Sequence, residues 1–236
     1  MGFYEDFAFC YDRIFPADPE TVRFLQATLA PPPGRLADLA CGTGSYAAAL
    51  AGAGYEVTGI DLAAEMIGIG RRKLADRTHP RLLVQDMSRP DIGAGYQGWY
   101  CIGNSLVHLA GPAAIGAALA EWRKLLAPAG RWAIQILNYD RILDRKIASL
   151  PTIARPDGTE LIREYEIRSD REILFKTRLT CEGRSYANQV PLYPLTRKEF
   201  LGLLEEAGLK LTEEFGEFDR SPWTPASFAY IVIGTV

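Results

Sequence analysis

Histidine is scarce in this chain: His79 and His108 are the only two. That excludes a histidine-rich metal site, though not a magnesium ion held by carboxylates. Cysteine is sparse too. Cys10, Cys41, Cys101 and Cys181 stand far apart with no C-x-x-C pair, so neither a disulfide framework nor a zinc site is expected, and a reduced cytoplasm fits best. There is no excess of basic charge. The formal net charge is −3 and the pI about 5.6, which disfavours a nucleic-acid partner. No apolar run approaches the roughly 18 residues that a membrane span needs. The acidic, aromatic start MGFYEDFAFCYDRIF lacks the basic region of a signal peptide. Internal repeats and low-complexity segments are also missing.

What is present is a core-forming chain of 236 residues, 48% of them hydrophobic. That suits one α/β domain with an insertion better than two independent domains. Strand and helix patterns alternate. RLADLA (35–40), YEVTGID (55–61), RLLVQD (81–86), YQGWYCIG (96–103) and RWAIQIL (131–137) read as strands. SYAAALAGAG (45–54), AAEMIGIGRRKLAD (63–76) and PAAIGAALAEWRKLLA (112–127) read as helices between them. This spacing predicts a parallel sheet with helices on both faces. From Gly158 to Tyr193 only strands follow, so residues 148–192 are expected to form an inserted antiparallel sheet. Residues 1–147 and 193–236 make the main domain. TRKEFLGLLEEAG (196–208) returns to helix, with Thr196 as N-cap and Glu199 as its capping-box partner. KLTEEFGEF (210–218) and FAYIVIGT (228–235) close the chain as an antiparallel pair.

The segment DLACGTGSYAAAL (38–50) concentrates the chemistry. Gly42 and Gly44 let the backbone turn sharply and approach a ligand, and the helix after them presents free N–H groups to an anionic or carboxylate end. GTGSYA, ending at Ala47, fits the dinucleotide pattern G-x-G-x-x-G/A. Asp61 ends the next strand, where an acid can hold ribose hydroxyls. NAD and S-adenosylmethionine both contain that ribose, so this pair leaves both open.

Three motifs in order, DLACGTG, GIDLAAEMI (59–67) and VQDM (84–87), resemble those of class I S-adenosylmethionine (SAM)-dependent methyltransferases. The resemblance implies a Rossmann-like parallel sheet with an antiparallel C-terminal strand, and SAM as cofactor with S-adenosylhomocysteine (SAH) as product. It places Asp38 at the methionine end with Ala40, Gly42 and Gly44, Asp61 and Leu62 at the ribose, and Met66, Asp86 and Met87 at the adenine. Tyr4 and Tyr11 belong to an aromatic N-terminal segment of the kind that closes over the cofactor.

IGNSLVHL (102–109) and ILNYD (136–140) follow the fourth and fifth strands. They resemble the GNS-x-x-HL and NYD motifs of glycine N-methyltransferases. This implies Gly103, Asn104 and Ser105 beside the cofactor and His108, Asn138 and Tyr139 as catalytic or acceptor-contacting residues. Tyr193 is a further acceptor-pocket candidate. The arginine that precedes NYD in that group, and is thought to hold an amino-acid carboxylate, is here Leu137, so glycine itself does not follow as the acceptor. Arg155, Arg163, Arg178 and Arg184 of the insertion are the candidates to replace it.

The expected activity is methyl transfer to a small molecule, an amine nitrogen preferred. The rivals are a nicotinamide-dependent oxidoreductase and a SAM-binding regulatory protein without catalysis. The insertion reads either as a lid or as a platform for a homodimer.

Overall fold

The computed structural model describes residues 5–75 and 78–236. A 3-10 turn (Glu5–Cys10) leads into α1 (Tyr11–Ile14) and α2 (Pro19–Thr28). The alternation then follows: β1 (Arg35–Leu39), α3 (Ser45–Gly52), β2 (Glu56–Asp61), α4 (Ala64–Lys73), β3 (Arg81–Val84), β4 (Tyr96–Cys101), α5 (Pro112–Leu125), β5 (Leu126–Leu137) and α6 (Tyr139–Asp144). Four strands come next: β6 (Ser149–Ala154), β7 (Glu160–Ser169), β8 (Glu172–Cys181) and β9 (Arg184–Leu192). The chain closes with α7 (Arg197–Glu206), β10 (Lys210–Phe215) and β11 (Ala229–Thr235).

Seven strands form one sheet in the order β10-β11-β5-β4-β1-β2-β3, and β6-β7-β8-β9 form a second, antiparallel sheet. Within the first, β1 pairs in parallel with both β2 and β4, whereas β11 runs antiparallel to both its neighbours. The chain leaves β1 towards β2 and β3, then returns to β4 on the other side. The reversal opens a crevice beyond the C-terminal ends of β1 and β4, where ligands of such sheets bind.

Each face of the large sheet carries its own core. One holds Trp99, Trp122 and Trp132, with Trp99 stacked on Trp132 at 5.7 Å and edge-on to Trp122 at 5.3 Å. This core continues into the small sheet through Leu150, Tyr165, Ile173 and Leu192. The other is built on Phe24, Leu25, Leu36, Leu50 and Ile231.

The structure departs from the sequence reading in several places. Ser149–Ala154 is a strand, paired with β7 across a register shift, although the segment has no clear period-two pattern. β5 begins at Leu126, because Leu126 pairs with Tyr96 ahead of the bulge that realigns Gly98 with Arg131. Thr196 stands at the N-cap of α7 without a side-chain bond, and the Glu199 carboxylate accepts from the Tyr193 hydroxyl at 2.8 Å.

The largest correction concerns the cysteines. Cys10 and Cys181, 171 residues apart, form a disulfide. Sequence spacing holds no sign of it, because the fold alone brings the end of the N-terminal turn against the end of β8. The bond lies in a small apolar cluster with Ile14, Leu161 and Leu179. The reduced-compartment argument drawn from these cysteines therefore loses its ground. Among the described residues no helix is long and apolar enough to cross a membrane.

Candidate active site

The loop after β1 is held by its own backbone and by one carboxylate. Cys41 N–H donates to the Ile60 carbonyl at 2.8 Å. Gly42 N–H donates to Asp61 Oδ2 at 2.8 Å, and Ala63 N–H donates to Oδ1 at 2.9 Å. Asp61 thus braces the glycine loop and the start of α4 together. Burial raises its pKa, and these N–H donors pull the other way. Gly42, at φ +56°, carries its Hα where a Cβ would sit 3.3 Å from the Tyr11 ring. Gly44, at φ +73°, faces Leu82 instead, where a Cβ would be 2.9 Å from both terminal methyls. The two glycines answer different demands: Gly42 admits the aromatic cap, and Gly44 admits the packing of β3 behind the loop.

Asp38 sits one strand position before this loop, buried at 3% exposure. The Tyr100 hydroxyl, directly across the β1–β4 pairing, donates to it at 2.8 Å. Burial pushes its pKa up to about 7, the Tyr100 bond opposes this, and the Asp61 charge adds to it. A buried carboxylate so poised ionises when a cation arrives beside it.

Two cavities open over the crevice. The first, about 450 Å³, is lined by Tyr11, Ala40, Gly42, Asp61, Leu62, Met66, Asp86, Met87, Gly103, Ser105 and His108. The second, about 270 Å³, has Asp38, Asn104, Gln135 and Leu137 on its floor and Leu150, Leu161, Arg163, Tyr165, Phe175 and Thr177 of the small sheet on its roof. Tyr11, Ala40, Gly103, Ser105 and His108 line both. Burial drives the His108 imidazole down to about 4, so it is neutral at physiological pH.

The N-terminal segment fastens roof and floor. On the floor side Asp12 accepts from Lys73 Nζ at 2.7 Å, from Ser45 Oγ at 2.9 Å, and from Thr43 Oγ1. Its carboxyl lies below the usual range because these donors outweigh its burial. On the roof side the Cys10–Cys181 bond is joined by Arg155, which donates to the carbonyls of Arg13 and Ile14 at 2.9 and 2.7 Å.

Several residues singled out in the sequence lie elsewhere. Gly44 lines neither cavity. Asn138 is a buried cap: its Oδ1 accepts from Arg141 N–H, and its Nδ2 donates to the carbonyls of Pro225 and Ser227. Tyr139 is buried behind the wall, where it receives a hydrogen bond from Asn104 Nδ2 at 3.0 Å and shares one with Tyr165. Tyr193 faces a separate surface hollow with Pro112, Asp170 and Arg171. Tyr4 lies outside the described residues. Residues that sequence reasoning missed include Gln135, whose Oε1 accepts from Gly103 N–H at 2.7 Å, and the roof residues Leu150, Leu161, Tyr165, Phe175 and Thr177. The period-two alternation of LIREY and FKTRL was the available signal, but only strand register shows which face turns inward.

Of the four candidate arginines, Arg163 alone lines either of the two cavities over the crevice. Arg155 is engaged with backbone carbonyls, and Arg178 and Arg184 are exposed.

Comparison with known proteins agrees with this geometry. A family described as methyltransferase domain matches residues 36–130. The glycine/sarcosine N-methyltransferase of Halorhodospira halochloris is 30% identical over 189 residues, which cover 78% of this chain and 68% of that protein. YqeM, a Bacillus subtilis protein named as a methyltransferase, is 41% identical over 86 residues, but these span only 36% of this chain and 34% of YqeM. The structure of the CcbJ methyltransferase from Streptomyces caelestis superposes with a TM-score of 0.82 at 23% identity, over 98% of this chain and 97% of that one, which is a likeness of fold. Of the two nucleotides that the glycine loop left open, these relationships select S-adenosylmethionine: the chain belongs to the class I SAM-dependent methyltransferases.

Proposed function

We propose that this protein methylates an amine nitrogen of a small molecule held in the second cavity, beneath the small sheet, with the cofactor's nucleoside in the first and its methionine end crossing the shared wall to Asp38 on the floor of the second. The observation that carries this reading is the shared wall. Tyr11, Ala40, Gly103, Ser105 and His108 border both spaces, so a donor in one and an acceptor in the other meet there.

The residues present suit the cofactor. Asp38 offers a buried carboxylate to the methionine ammonium. The oxygens of Asp61 retain lone pairs for ribose hydroxyls beyond those given to Gly42 and Ala63. Met66, Asp86 and Met87 border the far end, where an adenine belongs. When bound, SAM supplies an activated methyl group on a sulfonium, and the protein has only to position and desolvate. The small sheet serves as a lid. Its inner face excludes water from the acceptor, and burial there favours the neutral, nucleophilic form of an amine. His108, itself neutral, borders both cavities where the amine and the methyl donor meet. The Halorhodospira relative is named for glycine and sarcosine, both amines, which supports nitrogen over oxygen as the methylated atom.

The test is transfer of a labelled methyl group from SAM to primary and secondary amines, phenols and carboxylates. Methylated amine is the expected product. Turnover confined to phenols would overturn the choice of atom. Tight SAH binding with no turnover of any class would favour a regulatory SAM-binding protein. Light scattering on a chain whose residues 149–192 are replaced by a short Gly/Ser linker separates lid from dimer platform: a lid leaves the particle's assembly state unchanged and abolishes turnover.

A further inference from the structure

On the inner face of the lid, Arg163 of β7 and Thr177 of β8 stand directly opposite each other in the antiparallel register. Both border the second cavity. Arg163 Nη2 donates to the Pro151 carbonyl at 2.7 Å, which fixes the guanidinium plane. Its Nε is buried and has no hydrogen-bond partner, and neither has Thr177 Oγ1. Among the described residues no carboxylate forms an ion pair with Arg163. A buried guanidinium N–H with no acceptor is costly, and a carboxylate supplies both the charge that a guanidinium attracts and oxygens that can accept from Nε and from the Thr177 hydroxyl. The remaining roof is apolar and aromatic: Leu150, Leu161, Tyr165 and Phe175.

We propose that Arg163 and Thr177 form a carboxylate-binding site, so that the acceptor is an amine that also carries a carboxylate, on an apolar body. This rests on the methyl-transfer reading and adds the substrate class to it. Carboxylate is also present on the methionine end of the cofactor. The proposal commits to the acceptor's, and the experiment separates the two.

The full-length protein, saturated with SAH, is titrated calorimetrically with matched probes: 3-aminopropanoate against propylamine, and 4-(aminomethyl)benzoate against benzylamine. At least one carboxylate probe is expected to bind ten times more tightly than its neutral partner or better. Arg163→Gln should erase that preference, Arg163→Lys should retain part of it, and Thr177→Val should weaken it several-fold. SAH affinity should stay within twofold of wild type in all three, which also shows that the variants are folded. Equal binding of each pair, no binding of any probe, or a preference that survives Arg163→Gln would overturn the proposal. So would a tenfold loss of SAH affinity in Arg163→Gln, since the site would then belong to the cofactor's carboxylate. Arg163-dependent carboxylate binding without methylation of any amine would leave the site standing and defeat the proposed reaction. Methylation of neutral amines, indifferent to Arg163, would do the reverse.

Discussion

The floor and roof of this site are built from opposite kinds of sheet. In the floor, β1 and β11 are buried almost along their whole length, because helices cover both faces. In the roof, β7 and β8 alternate: Leu161 and Tyr165, with Thr177 and Leu179, turn inward, while Glu164, Glu166 and Arg178 face water. Strands buried on both faces leave few side chains for a ligand, so the floor borders the cavities only at its strand ends, with loop N–H groups, glycines and the strand acids Asp38 and Asp61. The roof presents a row of side chains directly to the cavity. Under the proposed function, cofactor recognition is tied to the fold itself, and acceptor recognition rests on a surface whose residues can change without disturbing the floor.

The sharpest way to break this contrast is in the floor. Gly44→Val combines a left-handed backbone with a Cβ 2.9 Å from the Leu82 methyls. Backbone strain and overpacking together should cost about 4 kcal/mol, roughly 10 °C in melting temperature for a chain of this size. The damage falls on stability before ligand affinity, and a variant that melts like wild type would show that β3 yields easily. Next in size is the tie between the two halves. Cys10→Ser, or reduction of the wild type, should lower stability by about 3 kcal/mol. Because Tyr11 follows Cys10 and lines both cavities, SAH should also dissociate faster. Melting curves unaffected by reductant would mean that Arg155 and the apolar cluster hold the cap unaided.

Asp61→Ala should weaken SAH binding by about 2 kcal/mol, on the order of thirtyfold in Kd. Unchanged calorimetry in a folded variant would remove Asp61 from the ribose.

The floor also carries a pH signature, with slopes of up to about 1.4 kcal/mol per pH unit for a single group. Asp38 has a folded pKa raised from 3.8 to about 7, so its contribution is fully present below the lower value and is lost as pH rises through the higher one. His108 behaves oppositely: with its pKa lowered from 6.5 to about 4, its contribution is present above the upper value and is lost as pH falls through the lower. In the ligand-free protein the two offset each other. Asp38→Asn should expose the His108 slope alone, a stability that rises with pH between those limits in denaturant titrations. SAH should bind the wild type more tightly as pH rises from about 6 to about 8 while Asp38 ionises beside the ligand's ammonium, and this trend should vanish in Asp38→Asn.

The smallest effect is expected at Tyr193→Phe. It removes the bond to Glu199, worth about 1 kcal/mol of stability, and should leave turnover unchanged because the ring lies outside both cavities. A marked rise in KM would bring Tyr193 back to the acceptor.

These contrasts follow what a linear chain can reveal. From its residues alone came the alternation of strand and helix, the glycine loop with Asp38 before it, Asp61 and Asp86 at the ends of the next two strands, and the all-strand insertion. Each is a local pattern, a few residues long or a period of fixed length, and strand ends in such a sheet converge by topology. Tertiary structure decided the rest. It turned Tyr193 and Asn138 away from the cavities because their polar atoms found partners in Glu199 and in the carbonyls of Pro225 and Ser227. It joined Cys10 to Cys181 and set Arg163 opposite Thr177. Those pairings depend on sheet register and on contacts between segments far apart in the chain, and a one-residue slip of register would have turned Arg163 outward.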